Sequence, residues 1–171
     1  MKKPQFAMLL FMLGSFTTST MVYAQKSPPA TATGKIGGAS ISIAYSSPSV
    51  RGRKIWGGLE PYGKAWRAGA NEATIFQTDK DITVEGKPLK AGKYSLFIVL
   101  GEKEWEFILN SETGQWGIKR SGEANFDPAK NAITFKVKPV KSAMTEQLTY
   151  AVSDKGFALR WENLEAQVGI K

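Results

Sequence analysis

The sequence predicts an all-β domain, an antiparallel β-sandwich or jelly roll of about eight or nine strands with little helix. Apolar residues alternate with polar ones over most of the chain beyond Lys35, which is the period of a half-buried strand. Turn-forming residues recur at close spacing between these runs. No stretch keeps an apolar period of 3.6 residues over three turns, so helices should be short or absent.

The first 24 residues have the features of a cleavable signal peptide. Lys2 and Lys3 provide the positive start, residues 6–16 are almost entirely apolar, and 22–24 (VYA) offer small residues at the cleavage positions. The apolar run is shorter than the roughly 20 residues of a membrane-spanning helix. We therefore expect cleavage after Ala24, a periplasmic or secreted location, and no transmembrane anchor after cleavage.

Residues 25–35 (QKSPPATATGK) are small, polar and proline-bearing, which predicts a flexible leader. The remaining residues, 36–171, are enough for a single β domain. Removal of Lys2 and Lys3 leaves 21 basic against 15 acidic residues, a net charge of +6. This moderate excess favours anionic partners but is spread along the chain, so we expect no specific nucleic-acid binding.

The predicted strands begin at 40–45, where Ile41, Ile43 and Tyr45 alternate with small residues. Residues 94–100 are continuously apolar after Ser95, which is typical of a central strand covered on both faces. Alternation predicts further strands at 82–85, 105–109, 133–138, 147–152 and 157–162, with a closing strand through Val168 and Ile170.

Two connections have the composition of tight turns, at 101–103 (GEK) and at 154–156 (DKG). The best helical candidate is a single turn at 127–130, with Asp127 as the cap and Pro128 at the first position.

One segment, residues 47–74, breaks the strand alternation. It is rich in glycine yet contains Trp56, Tyr62 and Trp66, which a flexible linker would not carry. We expect an ordered loop pinned by buried rings, the kind of element on which binding surfaces are built. Before Glu72 the segment is strongly basic, because it contains a single acidic residue, Glu60, and five basic ones: Arg51, Arg53, Lys54, Lys64 and Arg67.

The predicted ligand-binding set centres on Arg67, which can grip a carboxylate, phosphate or sugar acid with two hydrogen bonds. Asn71 can donate and accept, and Glu72 can accept from sugar hydroxyls. The alternative is structural: Arg67 pairs with Glu72, and Asn71 caps a turn. Trp116, in a second loop, either completes a pocket or closes over the core. The full set is Arg51, Arg53, Trp66, Arg67, Asn71, Glu72 and Trp116.

The chain contains no histidine and no cysteine. It therefore lacks the two commonest soft metal ligands, every Ser-His or Cys-His nucleophile, and any disulfide. Gly57-Gly58 lacks the ending of a phosphate-binding P-loop. We assign no metal, cofactor or catalytic residue from the sequence.

Several long motifs resemble a known family: residues 48–74 (PSVRGRKIWGGLEPYGKAWRAGANEAT), then AGKYSLF, and WEFILN with GQWG. The chain is identified by these motifs as similar to the secreted bacterial family called domain of unknown function 2911. The resemblance implies a secreted β domain and carries over no activity, cofactor or catalytic residue.

Three classes of function remain open. The first is a non-catalytic module that binds a glycan or an anionic envelope component through the predicted set. The second is a structural or assembly subunit whose loop packs on an envelope protein. The third is a hydrolase or isomerase that uses Glu72 as acid or base beside Arg67. We rank the classes in that order.

Overall fold

A computed structural model describes residues 26–171 of the chain, and the predicted signal peptide lies outside the described residues. The described part contains eleven strands, one 3₁₀ turn at Pro128–Lys130, and no α-helix. Eight of the strands have five residues or more. Their bounds are β1 Pro29–Ile36, β2 Ala39–Ser46, β3 Ala65–Trp66, β4 Thr74–Thr78, β5 Ile82–Val84, β6 Lys87–Leu89, β7 Gly92–Val99, β8 Trp105–Asn110, β9 Asn131–Val137, β10 Val140–Ser153 and β11 Gly156–Gly169.

The strands form one large antiparallel sheet and two hairpins. The sheet runs in the order β1-β2-β4-β7-β8-β9, and β3 pairs with β7 beside β4. The long hairpin β10–β11 packs across one face of this sheet, where Phe157 contacts Phe76 and Phe107 at ring centroid distances of 5.8 and 6.4 Å. The short hairpin β5–β6 bridges to the chain end through Val84 and Ile170. The predicted all-β, sandwich-type fold is confirmed.

The central strand and the predicted turns are confirmed as well. β7 lies inside the sheet, and its residues from Tyr94 to Ile98 are buried because both faces are covered. Antiparallel pairing joins β7 to β8 across 101–103, and β10 to β11 across 154–156. Asp127 caps the 3₁₀ turn by accepting the Ala129 N–H at 2.9 Å.

The expectation of a flexible leader through residue 35 is corrected by β1. This strand pairs with β2 from Pro29 to Ile36 without a break. The pairing uses main-chain groups, and alternate small residues face inwards, so the absence of large apolar side chains does not prevent a strand here. Gly34 lies so close to Val152 that a Cβ would come within 2.6 Å of its Cγ1.

The expected separate closing strand is also corrected. Residues 156–169 form one continuous strand, β11, which bends where Glu162 adopts a positive φ of 53°. Its partner β10 is equally long, and the register shifts between Lys141 and Thr149. Polar residues at the bend interrupt the alternation of apolar side chains, so the sequence pattern does not show that the strand is continuous.

The core is centred on four tryptophans contributed by separate elements. Trp56 lies 4.5 Å from Trp105 and 5.8 Å from Trp161, measured between ring centroids. Trp66 stacks on Trp161 at 5.8 Å. The cluster thus joins the 47–64 loop, β3, β8 and β11, and it fixes the loop that forms one wall of the groove described below.

A candidate ligand-binding groove

A groove of about 760 Å³ opens between the loop that precedes β3 and the chain that follows β8. Both walls mix apolar and charged residues. The first wall consists of residues 59–61 and 64–67, and the second of residues 118, 119, 121–124, 126 and 128.

The first wall is rigid because its loop is hydrogen-bonded to itself. The Glu60 N–H donates to the Ile55 carbonyl at 3.0 Å, and the Glu60 carbonyl accepts from Gly57 N–H at 2.9 Å. Gly57 adopts a φ of 70°, and Tyr62 packs so closely that a Cβ on Gly57 would lie 2.5 Å from its ring. These contacts hold the Glu60 carboxyl at the groove.

The second wall is a small hairpin, residues 118–124, closed by the bridge between Ile118 and Ala124. The Lys119 N–H donates to the Glu123 carbonyl at 2.8 Å. Phe126 anchors the hairpin by stacking on Phe97 at 4.5 Å, on the face of the sheet opposite β10–β11. This packing brings Lys119 and Glu123 opposite a loop more than 50 residues earlier.

Residues 67–73 form an excursion between β3 and β4, two strands that both pair with β7. Ala68 is fully buried at a φ of 54°, a strained conformation for alanine. Its carbonyl accepts from Tyr150 Oη at 2.8 Å and from Thr74 Oγ1 at 3.0 Å. Trp66 Nε1 donates to the Gly69 carbonyl at 3.0 Å. The excursion is therefore fixed from three sides, and it sets the position of Arg67.

Arg67 lines the groove, and Trp116 lies against its guanidinium group. Its Nη1 donates to the Trp116 carbonyl at 3.3 Å, and its guanidinium carbon lies 5.8 Å from the Trp116 ring centroid. Trp116 itself is 52% exposed. Among the described residues this is the only hydrogen bond of the guanidinium, so its remaining N–H donors are available to a ligand.

Burial dominates the electrostatics of Glu60 and Arg67. Desolvation raises the pKa of the Glu60 carboxyl from 4.5 to about 7, although the positive charges of Arg67 and Arg53 oppose the change. Desolvation also lowers the pKa of Arg67, against the negative charges of Glu60 and Glu72. Near neutral pH, a substantial fraction of the molecules therefore carries Glu60 as the neutral acid.

The other predicted residues are dispersed. Asn71 donates through Nδ2 to Ser27 O at 3.2 Å and to Ser46 Oγ at 3.1 Å, so it ties the loop to distant residues, where the structural alternative had it cap a turn. Glu72 is exposed, and it forms no ion pair with Arg67 within 4.0 Å in the described part of the chain.

The two earlier arginines lie in the 49–54 turn. Arg53 donates through Nε and Nη2 to the carbonyls of Val50 and Ser49, at 3.0 and 2.6 Å. The Arg51 backbone N–H donates to the Glu146 carboxylate at 2.9 Å. Of the predicted set, the structure brings Trp66 and Arg67 to the groove and Trp116 to Arg67, while Trp66 is 5% exposed and serves mainly as a core anchor.

Sequence reasoning missed Glu60, Lys64, Lys119 and Glu123 as groove residues. Glu60 had one available signal, because it is the lone acid among the basic and aromatic residues of its loop. Lys119 and Glu123 had none, since only the folding of the hairpin onto Phe97 brings them near the loop.

The groove offers three cationic side chains, Lys64, Arg67 and Lys119, against two carboxyls, Glu60 and Glu123. Such a site suits an anionic or polyhydroxylated molecule, with Arg67 as the two-pronged donor. Between residues 26 and 171, no group of three or more acidic, histidine or cysteine side chains is arranged to hold a metal ion. In the same range, no helix is long and apolar enough to cross a membrane.

The chain matches, over residues 27–170, the family described as Protein of unknown function (DUF2911). Because the match covers most of the sequence, the chain belongs to this family, and the predicted resemblance is confirmed. No curated protein and no solved structure matches the chain.

Proposed function

We propose that the protein is a non-catalytic binding module of the bacterial cell envelope, exported to the periplasm or beyond, which holds an anionic glycan fragment in the groove. The observation that supports this proposal is the Arg67 guanidinium at the groove wall, with unused donors and with Lys64 and Lys119 nearby. A sugar acid fits this chemistry, since its carboxylate matches the guanidinium fork and its ring suits the apolar parts of the walls.

Isothermal titration calorimetry with trigalacturonate tests the proposal, with neutral maltotriose as the comparison ligand. We expect saturable binding of the acidic trisaccharide only. Arg67→Gln and Lys119→Gln should each weaken it about tenfold, the effect of losing a charge-assisted hydrogen bond. Arg120→Gln is the matched control, because Arg120 is exposed on the same hairpin and does not line the groove. Absence of saturable binding, or equal affinities for all variants, would contradict the proposal.

A hydrolase or isomerase is the second candidate, and one observation favours it: the raised pKa of Glu60 in the groove beside Arg67. A carboxyl that titrates near neutral pH is suited to general acid–base catalysis. Glu60 replaces Glu72 in this alternative, because Glu72 does not line the groove. The test is an assay for turnover of an acidic oligosaccharide. Turnover by the wild type that is lost in a correctly folded Glu60→Gln variant would favour the enzyme over the binding module.

A further inference from the structure

Glu60 is a carboxyl held beside two cations without being paired to either. The backbone of its loop is fixed by the hydrogen bonds to Ile55 and Gly57, which keep the Cα of Glu60 at the groove wall. Within the described residues, Glu60 takes part in no ion pair at or below 4.0 Å. The neighbouring arginines are turned to other acceptors, Arg53 to Val50 and Ser49, and Arg67 to Trp116.

A ligand carboxylate that reaches Arg67 from the groove comes close to Glu60, because both residues line the same wall and the charge of each acts on the pKa of the other. Two ionised carboxylates at such a distance repel each other, and neighbouring carboxyl groups resolve this by sharing one proton. The other charged groups around Glu60 are Arg53, the groove cations Lys64 and Lys119, and on the opposite wall a second acid, Glu123.

We propose that the groove selects carboxylic acids by binding them as an acid–carboxylate pair, in which protonated Glu60 donates a hydrogen bond to the ligand carboxylate that Arg67 holds. This inference rests on the function proposed above and specifies its ligand class. Molecules in which Glu60 is ionised then take up a proton from solvent on binding, with no bond to carbon made or broken. Burial, which already raises the pKa of Glu60 to about 7, makes the proton available near neutral pH.

The test is titration calorimetry of trigalacturonate at pH 6 and pH 8, repeated at pH 7.5 in two buffers of different ionisation enthalpy. The charge of this ligand does not change in that range. With Glu60 titrating near 7 in the unliganded protein, linkage predicts about tenfold weaker binding at pH 8 than at pH 6. The two buffers should reveal uptake of a large part of one proton at pH 7.5.

Glu60→Gln keeps a hydrogen-bond donor and removes the titration, so its affinity should be nearly the same at both pH values. Glu123→Gln is the matched control, since it removes the other groove carboxyl and should leave the pH effect in place. The buffer comparison uses the unmodified protein and holds even if a variant fails to fold. Binding that is independent of pH and takes up no proton overturns this inference and leaves the proposed function standing. Absence of binding at both pH values overturns both.

Discussion

Two residues of the groove show how burial, rather than pairing, sets their charge. Glu60 is partly buried and has no bonded cation in the part of the chain that the structure describes, and the attraction of Arg67 and Arg53 only partly offsets its desolvation. Arg67 loses some of its own hydration in the same place. A ligand that pairs with Arg67 would therefore replace hydration that the fold has already removed, which lowers the cost of binding.

The raised pKa of Glu60 predicts a pH-dependent loss of stability. The folded protein binds a proton at Glu60 more tightly than the unfolded chain, whose carboxyl titrates near 4.5, so the free energy of unfolding falls as pH rises from 4.5 to about 7. The Glu60→Gln variant has no carboxyl at this position, so its free energy of unfolding lacks this pH dependence. Urea unfolding at pH 4.5 and pH 8 should show the variant gaining roughly 1–3 kcal/mol relative to wild type over that interval. A constant difference between the two proteins would contradict the assigned pKa.

The close approach of Gly117 to Arg67 predicts that a substitution at Gly117 affects the groove. Gly117 and Gly114 both adopt a φ of 88°, but a Cβ on Gly117 would lie 2.8 Å from Arg67 Cβ and 3.2 Å from Ala73 Cα, whereas one on Gly114 would meet nothing within 4 Å. Gly117→Ala and Gly114→Ala therefore share the cost of a positive φ, and only the first displaces Arg67.

We expect Gly117→Ala to lose about 1–3 kcal/mol more than Gly114→Ala in urea unfolding, because its Cβ overpacks the contact. It should also weaken trigalacturonate binding, while Gly114→Ala should not. Equal stability and equal affinity of the two variants would show that Arg67 is not held by this contact.

Among the elements, β1 differs most from the sequence prediction of a flexible leader, because it extends the sheet and packs on β10. Gly34→Val would drive a side chain into Val152, whereas Thr33→Val changes an exposed side chain on the opposite face of the same strand. We expect Gly34→Val to lower the free energy of unfolding by about 1–3 kcal/mol and Thr33→Val to change it by about 0.5 kcal/mol or less. Thermal or urea denaturation checks this, and equal stability would mean that β1 does not dock on β10.

The strands that could be predicted are those whose side chains carry the signal. β7 and β8 are recognisable because Tyr94–Leu100 and 105–109 have the apolar patterns of buried strands. β1 could not be recognised in this way, since its pairing lies in the backbone and its inward residues are small. The bend at Glu162 likewise hides the continuity of β11.

On the scale of the whole molecule, the tryptophan cluster joins the sheet to the β10–β11 hairpin. Trp161 is fully buried between Trp56 and Trp66, and its Nε1 finds no hydrogen-bond partner within residues 26–171, so packing holds the ring. Trp161→Ala should therefore cost about 3–5 kcal/mol. Trp116→Ala, at an exposed ring outside the cluster, should cost about 1 kcal/mol or less. Urea unfolding followed by circular dichroism compares them, and similar losses would contradict the central position of the cluster.

The site could be predicted only in part, because it is assembled from distant parts of the chain. The aromatic and basic composition of the loop pointed to Arg67 and to an ordered 47–74 segment. Local spacing could not show that Asn71 is used by Ser27 and Ser46, nor that Lys119 faces the loop. Both facts depend on which strands are neighbours in the sheet.

β3 and β4 lie end to end along β7, so a single strand anchors both ends of the excursion at 67–73. The chain leaves β7 at the end of β3 and returns to it at the start of β4. The register of each strand is set by its own pairing with β7. An inserted residue in this excursion would therefore leave both strand registers unchanged, but it would have to preserve the contacts of Ala68 with Tyr150 and Thr74. For a protein engineer, the exposed Glu72 is the position of this excursion at which a substitution leaves those contacts intact.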